Sequence, residues 1–171
     1  MQIVHGGRSG DNYLFAGSGA ATLFGGGNGD QLYAFGEIGQ MLVGSSGYST
    51  LSAGFNWGNN TIKGGTGNEE MTGGTGKDLF IAGAGKDTIF ATDGDRDVFT
   101  FIRGQAGGTA LVQNVYNSND VRIDLVNYGC AEEAYALSSQ RTNGGEVTFS
   151  LTDGTKVTFE NITRLTSQNF I

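Results

Sequence analysis

A nine-residue repeat runs through the first hundred residues of this chain and limits the folds that the chain can adopt. The blocks align from Gly7 as GRSGDNYLF, AGSGAATLF, GGGNGDQLY, AFGEIGQML and VGSSGYSTL, and after three extra residues as FNWGNNTIK, GGTGNEEMT, GGTGKDLFI and AGAGKDTIF. A tenth block, ATDGDRDVFT, is one residue longer. A fixed period of this kind indicates small structural units that stack on one another.

The glycines and the apolar residue at one fixed position indicate which structure each nine-residue unit forms. Of the 31 glycines, 24 lie in residues 1–99, and glycine adopts the positive φ angles of tight turns without a Cβ clash. Each unit therefore makes a six-residue turn and a three-residue strand whose middle side chain, at position eight, points inward. The inward residues are Leu14, Leu23, Leu32, Met41, Ile62, Met71, Phe80, Ile89 and, in the longer block, Phe99. Two units form one coil, and stacked coils of parallel strands build an all-β fold with a continuous core.

Position six carries carboxylates, at Asp30, Glu69, Asp78 and Asp87, with Asp97 equivalent in the longer block. Because units two apart share one side of the coil, Glu69 is expected near Asp87, and Asp78 near Asp97. Carboxylates brought together repel one another unless a cation lies between them. Carboxylates and the outward carbonyls of glycine turns are hard oxygen donors, which suit Ca²⁺ rather than zinc or copper. The candidate calcium ligands are Asp30, Glu69, Asp78, Asp87, Asp95 and Asp97, with the turn glycines Gly65, Gly67, Gly74, Gly76, Gly83 and Gly85.

The blocks GGTGKDLFI and AGAGKDTIF resemble the calcium-binding nonapeptide G-G-x-G-x-D-x-U-x of RTX (hemolysin-type) proteins. The similarity is strong over 64–99 and weaker, but in register, over 7–63. Residues 100–171 are similar to the segment that follows such repeats in bacterial type I secreted proteins. The resemblance implies a right-handed parallel β-roll of about ten nonapeptide units. It also implies Ca²⁺-dependent folding outside the cell and an uncleaved C-terminal signal for the type I secretion machinery.

The N-terminal units depart from this pattern, because position six there lacks a carboxylate at Asn12, Ala21, Gly39, Tyr48 and Asn60. We expect two good calcium sites in 64–97 and a third around Asp11 and Asp30. Packing and hydrogen bonding must hold the N-terminal half together instead. The period is interrupted near 52–57, and residues 52–63, with Phe55 and Trp57, are expected to form a bulging loop.

Position nine should face outward, yet the first five units place large apolar side chains there. These are Phe15, Phe24, Tyr33, Leu42 and Leu51, which form one ladder of alternate units (Phe15, Tyr33, Leu51) and a second (Phe24, Leu42). Exposed apolar ladders mark contact surfaces. Two partners are open: the C-terminal segment folding back, or another molecule, including a second copy of the chain.

Residues 102–171 are expected to form a small β-rich cap after a roll over 1–101. The clearest hairpin in the chain joins Glu146–Leu151 to Lys156–Glu160 through Thr152–Thr155. A cap of this kind covers the last coil, whose strands would otherwise pair with other chains.

Several classes of protein are excluded by composition and motif. A net charge of −7 with only ten Lys and Arg makes nucleic-acid binding a poor hypothesis, and no apolar run is long enough to span a membrane. The GGTGK segment at 73–77 lacks the remaining residues of a phosphate loop. His5 and Cys130 are interpreted as a frayed terminus and an inert thiol, and the adjacent Glu132 and Glu133 as a solvated helical turn. No catalytic constellation remains, so we expect a protein that is not an enzyme.

The sequence therefore predicts a secreted calcium-binding β-roll, extracellular and associated with the cell surface or matrix, with a structural, adhesive or self-assembling role. With Met1 as the start, no effector domain precedes the repeats. The alternative is a C-terminal calcium-dependent folding and secretion module of a larger secreted enzyme, such as a protease, lipase or epimerase. The full open reading frame discriminates between these two hypotheses.

Overall fold

The computed structural model describes residues 1–91 and 96–171, and strands dominate them. The strands that form the first sheet are, in spatial order, β1 (Gln2–His5), β3 (Ala21–Phe24), β5 (Met41–Val43), β7 (Thr61–Lys63), β9 (Leu79–Ile81), β11 (Val98–Ile102) and β13 (Arg122–Val126). The strands of the second sheet are β14 (Arg141–Asn143), β15 (Glu146–Ser150), β16 (Lys156–Phe159), β12 (Gly107–Gln113), β10 (Ala84–Phe90), β8 (Glu69–Thr72), β6 (Ser49–Asn56), β4 (Asp30–Gly36) and β2 (Tyr13–Phe15). The helix α1 covers Glu132–Ser139, and short 3₁₀ turns cover Ser118–Asp120 and Ser167–Asn169.

Successive strands alternate between the two sheets, so that each strand pairs with the one two positions later in the chain. All of the pairings from β1 to β13 are parallel, as in β2 with β4 and β9 with β11. The predicted all-β parallel roll is therefore confirmed.

The centre of the core consists of buried apolar side chains stacked in two ladders. The ladder inside the first sheet contains Leu23, Leu42, Ile62, Phe80, Phe99 and Ile123, and the ladder inside the second contains Leu14, Leu32, Leu51, Met71, Ile89 and Val112. Aromatic stacking reinforces it where Phe80 and Phe99 lie 5.6 Å apart. No single unit could bury enough apolar surface to fold alone, and the ladders supply the missing partners.

Two sequence assignments in the middle of the repeat are wrong. Leu42, not Met41, occupies the core between Leu23 and Ile62, and Leu51 lies in the core between Leu32 and Met71. One residue more than the period precedes Leu42, so the true frame shifts there. Because side chains alternate along a strand, this one-residue shift exchanges the inward and outward faces.

Residues 52–57 do not form the expected bulging loop. β6 continues to Asn56 and pairs with an extended β4, so that Phe35 aligns with Phe55 and Gly36 with Asn56. A register shift between Tyr33 and Phe35 sets Ala34 against two residues, Ala53 and Gly54. This β-bulge absorbs part of the extra sequence without interrupting the sheet.

The roll extends beyond the boundary predicted at residue 101, because β12 pairs with β10 and β13 with β11. The predicted hairpin is confirmed as β15 and β16, and β16 joins the second sheet beside β12. Glu132 is not solvated as expected. It lies buried at the start of α1 and accepts hydrogen bonds from the backbone N–H and the hydroxyl of Thr152 at 2.7 and 2.6 Å. In the described part of the chain, no helix has the length and apolar character needed to cross a membrane.

Candidate metal centre

The residues at position six line two buried polar columns, one for each sheet, at the point where each turn enters a strand. The Asp87 column, on the second sheet, contains Asn12, Asp30, Ser49, Glu69 and Asp87. The Asp78 column, on the first sheet, contains Gln40, Asn60, Asp78 and Asp97. Gln40 and Ser49 take the places that the sequence frame assigned to Gly39 and Tyr48, for the same reason that Leu42 replaces Met41.

Glu69 and Asp87 are neighbours in their column, as the spacing predicts. The backbone N–H of Glu69 donates to Oδ1 of Asp87 at 2.9 Å, and the N–H of Gly65 donates to Oε2 of Glu69 at 3.1 Å. Both side chains are almost completely buried. Among the residues that the structure describes, Oε1 of Glu69 is buried without a hydrogen-bond partner. A buried oxygen of this kind is costly unless another group satisfies it.

The electrostatics of the Glu69–Asp87 pair make it a candidate site for a cation. Burial, together with the charge of Asp87, raises the pKa of Glu69 to about 8. Burial raises the pKa of Asp87 to about 7. Two buried carboxylates cannot both be ionised at low cost, unless a positive charge lies beside them.

Asp78 and Asp97 form the second carboxylate pair, in the other column. The N–H of Asp78 donates to Oδ1 of Asp97 at 2.8 Å, and the N–H of Gly74 donates to Oδ2 of Asp78 at 2.9 Å. Both residues are buried. The predicted neighbour relation is thus observed in both columns, one turn apart along the chain.

Asp30 lies in a different environment from Glu69 and Asp87, because its neighbour in the column is an amide. Its Oδ1 accepts from the backbone N–H and the side-chain amide of Asn12 at 2.9 and 2.7 Å, and its Oδ2 accepts from Gly26 and Gly27 at 2.6 and 2.8 Å. Burial alone would raise its pKa, but the hydrogen bonds outweigh burial and hold the pKa below its ordinary value. Four donors occupy the lone-pair positions of a carboxylate, and Asp11 is exposed. Asp78 accepts similar bonds from Asn60 and Gly74, but it also has the acid Asp97 beside it, whereas the column neighbours of Asp30 are Asn12 and Ser49. The absence of a second acid makes Asp30 the weaker candidate for a metal ligand.

The turn glycines let successive coils approach closely. A Cβ on Gly65 would overlap the carbonyl of Ser45, one on Gly83 would overlap the carbonyl of Gly65, and one on Gly85 that of Gly67. The same holds for Gly67 against Gly47 and for Gly74 against Asn56, whereas Gly76 adopts a φ of +117°. Carbonyl oxygens are therefore stacked along the turns beside the carboxylates. Asp95, the remaining predicted ligand, lies outside the described residues.

A row of asparagines on the outer side of the turns was missed by the sequence analysis. The side-chain Oδ1 atoms of Asn28, Asn59 and Asn68 accept from the backbone N–H groups of Tyr48, Lys77 and Lys86 at 2.8 to 2.9 Å. Each bond links one coil to the next. The signal in the sequence was an asparagine directly beside glycine in the turn, where a short polar side chain reaches the backbone.

The donor set of the site is oxygen alone. Within the described ranges, no group of three or more His, Cys, Asp and Glu side chains comes together. A metal here would therefore be held by a pair of carboxylates and by backbone carbonyls, a combination that fits Ca²⁺ and its flexible oxygen shell. His5 and Cys130 are not brought together, since His5 stacks on Phe24 at 4.7 Å and Cys130 is exposed just before α1.

Comparison with protein families gives one match. The family described as the RTX calcium-binding nonapeptide repeat (4 copies) matches residues 6–34, 56–89 and 63–97. Residues 35–55, where the frame shifts, and residues 98–171 lie outside these matches. Comparison with curated proteins and with solved structures gives no match. The chain therefore carries RTX calcium-binding nonapeptide repeats.

Proposed function

We propose that this chain is a secreted β-roll protein that folds on Ca²⁺ outside the cell and serves as a structural, adhesive or self-assembling component of a bacterial surface or matrix. The observation that carries the proposal is the buried Glu69–Asp87 pair, in which two carboxylates meet and Oε1 of Glu69 has no partner among the described residues. Bound Ca²⁺ supplies the missing positive charge and ties two coils together.

The calcium sites that we propose lie at the two carboxylate pairs, Glu69 with Asp87 and Asp78 with Asp97. The carbonyls of Gly65, Gly67, Gly74, Gly76, Gly83 and Gly85 are proposed as further ligands, since those turns stack next to the pairs. Asp95 is a proposed ligand on the sequence pattern alone. Extracellular Ca²⁺ modules bind with dissociation constants of about 10⁻⁴–10⁻³ M, which matches carboxylate-bearing coils over 64–97 that stay unfolded in the low calcium of the cytoplasm.

The contact surface is proposed at the outward aromatics of the N-terminal units. Phe15 is 57% exposed and stacks on Tyr33 at 5.3 Å, and Phe35 links Phe15 to Phe55, which is 69% exposed. Phe24 lies half-buried on the other sheet, beside Val43. Leu42 and Leu51 do not belong to this surface, because both lie in the core. The C-terminal segment does not cover Phe15, since it joins the opposite end of the second sheet.

A calcium titration of the purified chain tests this function. Circular dichroism should report a gain of β structure, and light scattering should report association once the roll is ordered. A chain that has the same β content in excess chelator as in millimolar Ca²⁺ would contradict the proposal.

A C-terminal folding and secretion module of a larger secreted enzyme is the second candidate. The observation that favours it is that β1 and β2 form the outer edges of the two sheets, where preceding coils of a longer chain would stack. The full open reading frame tests it: an enzyme domain upstream of Met1 would support this candidate. A catalytic role for the chain itself is not part of either proposal.

A further inference from the structure

Two different kinds of neighbouring pair occur within the polar columns. Glu69 faces Asp87 and Asp78 faces Asp97, so that acid meets acid. Asn12 faces Asp30 and Asn60 faces Asp78, so that amide meets acid. The amide pairs lie in the part of the roll that precedes residue 64, apart from the shared Asp78.

Asn60 makes the same type of bridge as Asn12. Its backbone N–H and its side-chain Nδ2 both donate to Oδ1 of Asp78, at 2.7 and 3.0 Å, and Nδ2 also donates to the carbonyl of Gly58 at 2.7 Å. Its Oδ1 accepts from the N–H of Gln40 at 3.0 Å, so three coils are linked through one buried side chain. The amide N–H groups present the positive end of a dipole to the carboxylate of Asp78. A second carboxylate in the same place would repel Asp78 unless a cation lay between the two.

Neutral hydrogen bonds also connect the remaining N-terminal turns. The hydroxyl of Ser45 donates to the carbonyl of Gly27 at 2.6 Å and accepts from the N–H of Gly47 at 3.3 Å. The amide of Gln40 donates to the carbonyls of Gly17 and Phe35 at 2.9 and 2.7 Å. Like-charge repulsion between neighbouring acids is thus absent from the described columns before residue 64. Apart from Oε1 of Gln40, the buried side-chain polar atoms described there have hydrogen-bond partners within the protein.

We propose that the side-chain amides of Asn12 and Asn60 replace calcium in their columns, so that the coils of residues 6–63 form without the metal and provide the preformed edge on which Ca²⁺ assembles the coils of 64–97. This inference rests on the proposed function only for the calcium dependence of 64–97. Stacked repeats fold by adding units to an existing edge. Because that edge is already formed, the metal-dependent coils do not have to nucleate on their own. Calcium then controls the folding of residues 64–97 rather than the folding of the whole roll.

The test is hydrogen exchange of the full chain, read by mass spectrometry in excess chelator and in millimolar Ca²⁺. In chelator, peptides that cover β3, β4 and β5 should be protected, while peptides that cover β8 and β10 exchange freely and gain protection only with Ca²⁺. The double variant N12D/N60D turns both amide pairs into acid pairs. In chelator, exchange of β3 to β5 should then be faster by at least about tenfold, because buried donors are lost and like charges meet. Millimolar Ca²⁺ should restore protection, since the new acid pairs resemble Glu69–Asp87.

The matched control is N28D/N59D, which adds the same two charges. Asn28 and Asn59 are exposed and use only their side-chain oxygen, which a carboxylate retains. In this control variant, β3 to β5 should be as well protected from hydrogen exchange in chelator as they are in the unchanged chain.

The possible results separate the inference from the proposed function. If β3 to β5 of the unchanged chain exchange in chelator as fast as β8 and β10, the inference is wrong while the proposed calcium dependence stands. It is equally wrong if N12D/N60D stays protected in chelator, if Ca²⁺ fails to rescue that variant, or if the control loses protection to the same extent. If instead β8 and β10 are fully protected in chelator, the proposed calcium-dependent folding fails.

Discussion

The backbone N–H of Glu69 donates a 2.9 Å hydrogen bond to Oδ1 of Asp87, eighteen residues later and one coil further along the roll. This bond holds two carboxylate-bearing turns in contact. Because units two apart stack on the same side of the roll, the repeat itself brings like charges together. The fold gains stability from the stacked core and concentrates its electrostatic cost at these turns. A divalent cation beside these turns would offset that cost, and the folding of these coils would then depend on the cation.

Calcium should increase the β content of the chain. Because the proposed calcium sites exist only in the folded coils, the binding energy should add directly to stability. We expect the circular dichroism of the chelated chain to change with a midpoint at about 10⁻⁴–10⁻³ M Ca²⁺. Magnesium at the same concentration is the control, since its rigid octahedral shell suits this flexible oxygen set poorly. Equal responses to the two ions would argue against a calcium-specific site.

Replacing Asp78 or Asp87 by Ala should raise the calcium midpoint by at least about tenfold, since even indirect partners of a metal contribute that much. Asp120 is the matched control, because it lies in the short 3₁₀ turn Ser118–Asp120 away from both columns. D120A should leave the midpoint unchanged in the same titration. Asp153 is a second control for calcium affinity only, because it accepts a hydrogen bond from the hydroxyl of Tyr128 and its loss will affect the cap. Equal shifts for all four variants would mean that the repeat frame is wrong.

Acid should partly replace calcium. In the folded roll, burial and the charge of Asp87 raise the pKa of Glu69 from 4.5 to about 8, and burial raises the pKa of Asp87 from 3.8 to about 7. A raised acid pKa means that folding favours the protonated form. The stabilisation is therefore present at low pH and is lost as the pH rises through about 7 and 8.

The measurement for the acid effect is β content in excess chelator at pH 5.5 and at pH 8.5. The chain should be more folded at the lower pH, and the variant E69Q/D87N should show a flatter profile. Identical β content of the unchanged chain at both pH values would contradict this prediction.

Outward and inward side chains of the N-terminal units should respond differently to substitution. Phe24 and Tyr33 face outward and are half-buried, so F24S/Y33S should fold in calcium but lose any calcium-dependent oligomer seen by light scattering. Leu51 is fully buried, and L51A should instead lower the free energy of unfolding by about 2–5 kcal/mol. A monomeric unchanged chain in millimolar Ca²⁺ would rule out self-assembly and favour the secretion-module candidate.

The cap should depend on Glu132 rather than on its neighbour. Because both oxygens of Glu132 bond to Thr152, E132A leaves the N–H and hydroxyl of Thr152 without their acceptor and should cost about 1–3 kcal/mol. E133A, one residue along the same helix, should change stability by less than about 0.5 kcal/mol. Thermal unfolding in saturating Ca²⁺ measures both. An equal loss of stability in E133A and E132A would contradict the prediction that the contact between Glu132 and Thr152 stabilises the cap.

Much of the fold follows from the period itself. Apolar residues at position eight, glycines in the turns and acids at position six predicted the roll, its core and the Glu69–Asp87 and Asp78–Asp97 neighbours, because a regular repeat fixes which residues stack. The C-terminal hairpin was equally visible, since alternating strands flanked a turn sequence.

Where the period breaks, only the tertiary structure decides. The extra residues around 33–62 can be placed in more than one frame, and the parallel pairing of Leu23 with Leu42 and of Leu32 with Leu51 selects the one that buries Leu42 and Leu51. The hydrogen bonding of Asp30 is likewise decided by the structure, where the amide of Asn12 reaches it from the neighbouring coil and Gly26 and Gly27 donate from its own turn. The sequence determined that carboxylates would line the turns. The eighteen-residue spacing also determined which position-six residues are neighbours, whereas the hydrogen bonds between their side chains, such as that from Asn12 to Asp30, depended on the packing of the whole roll.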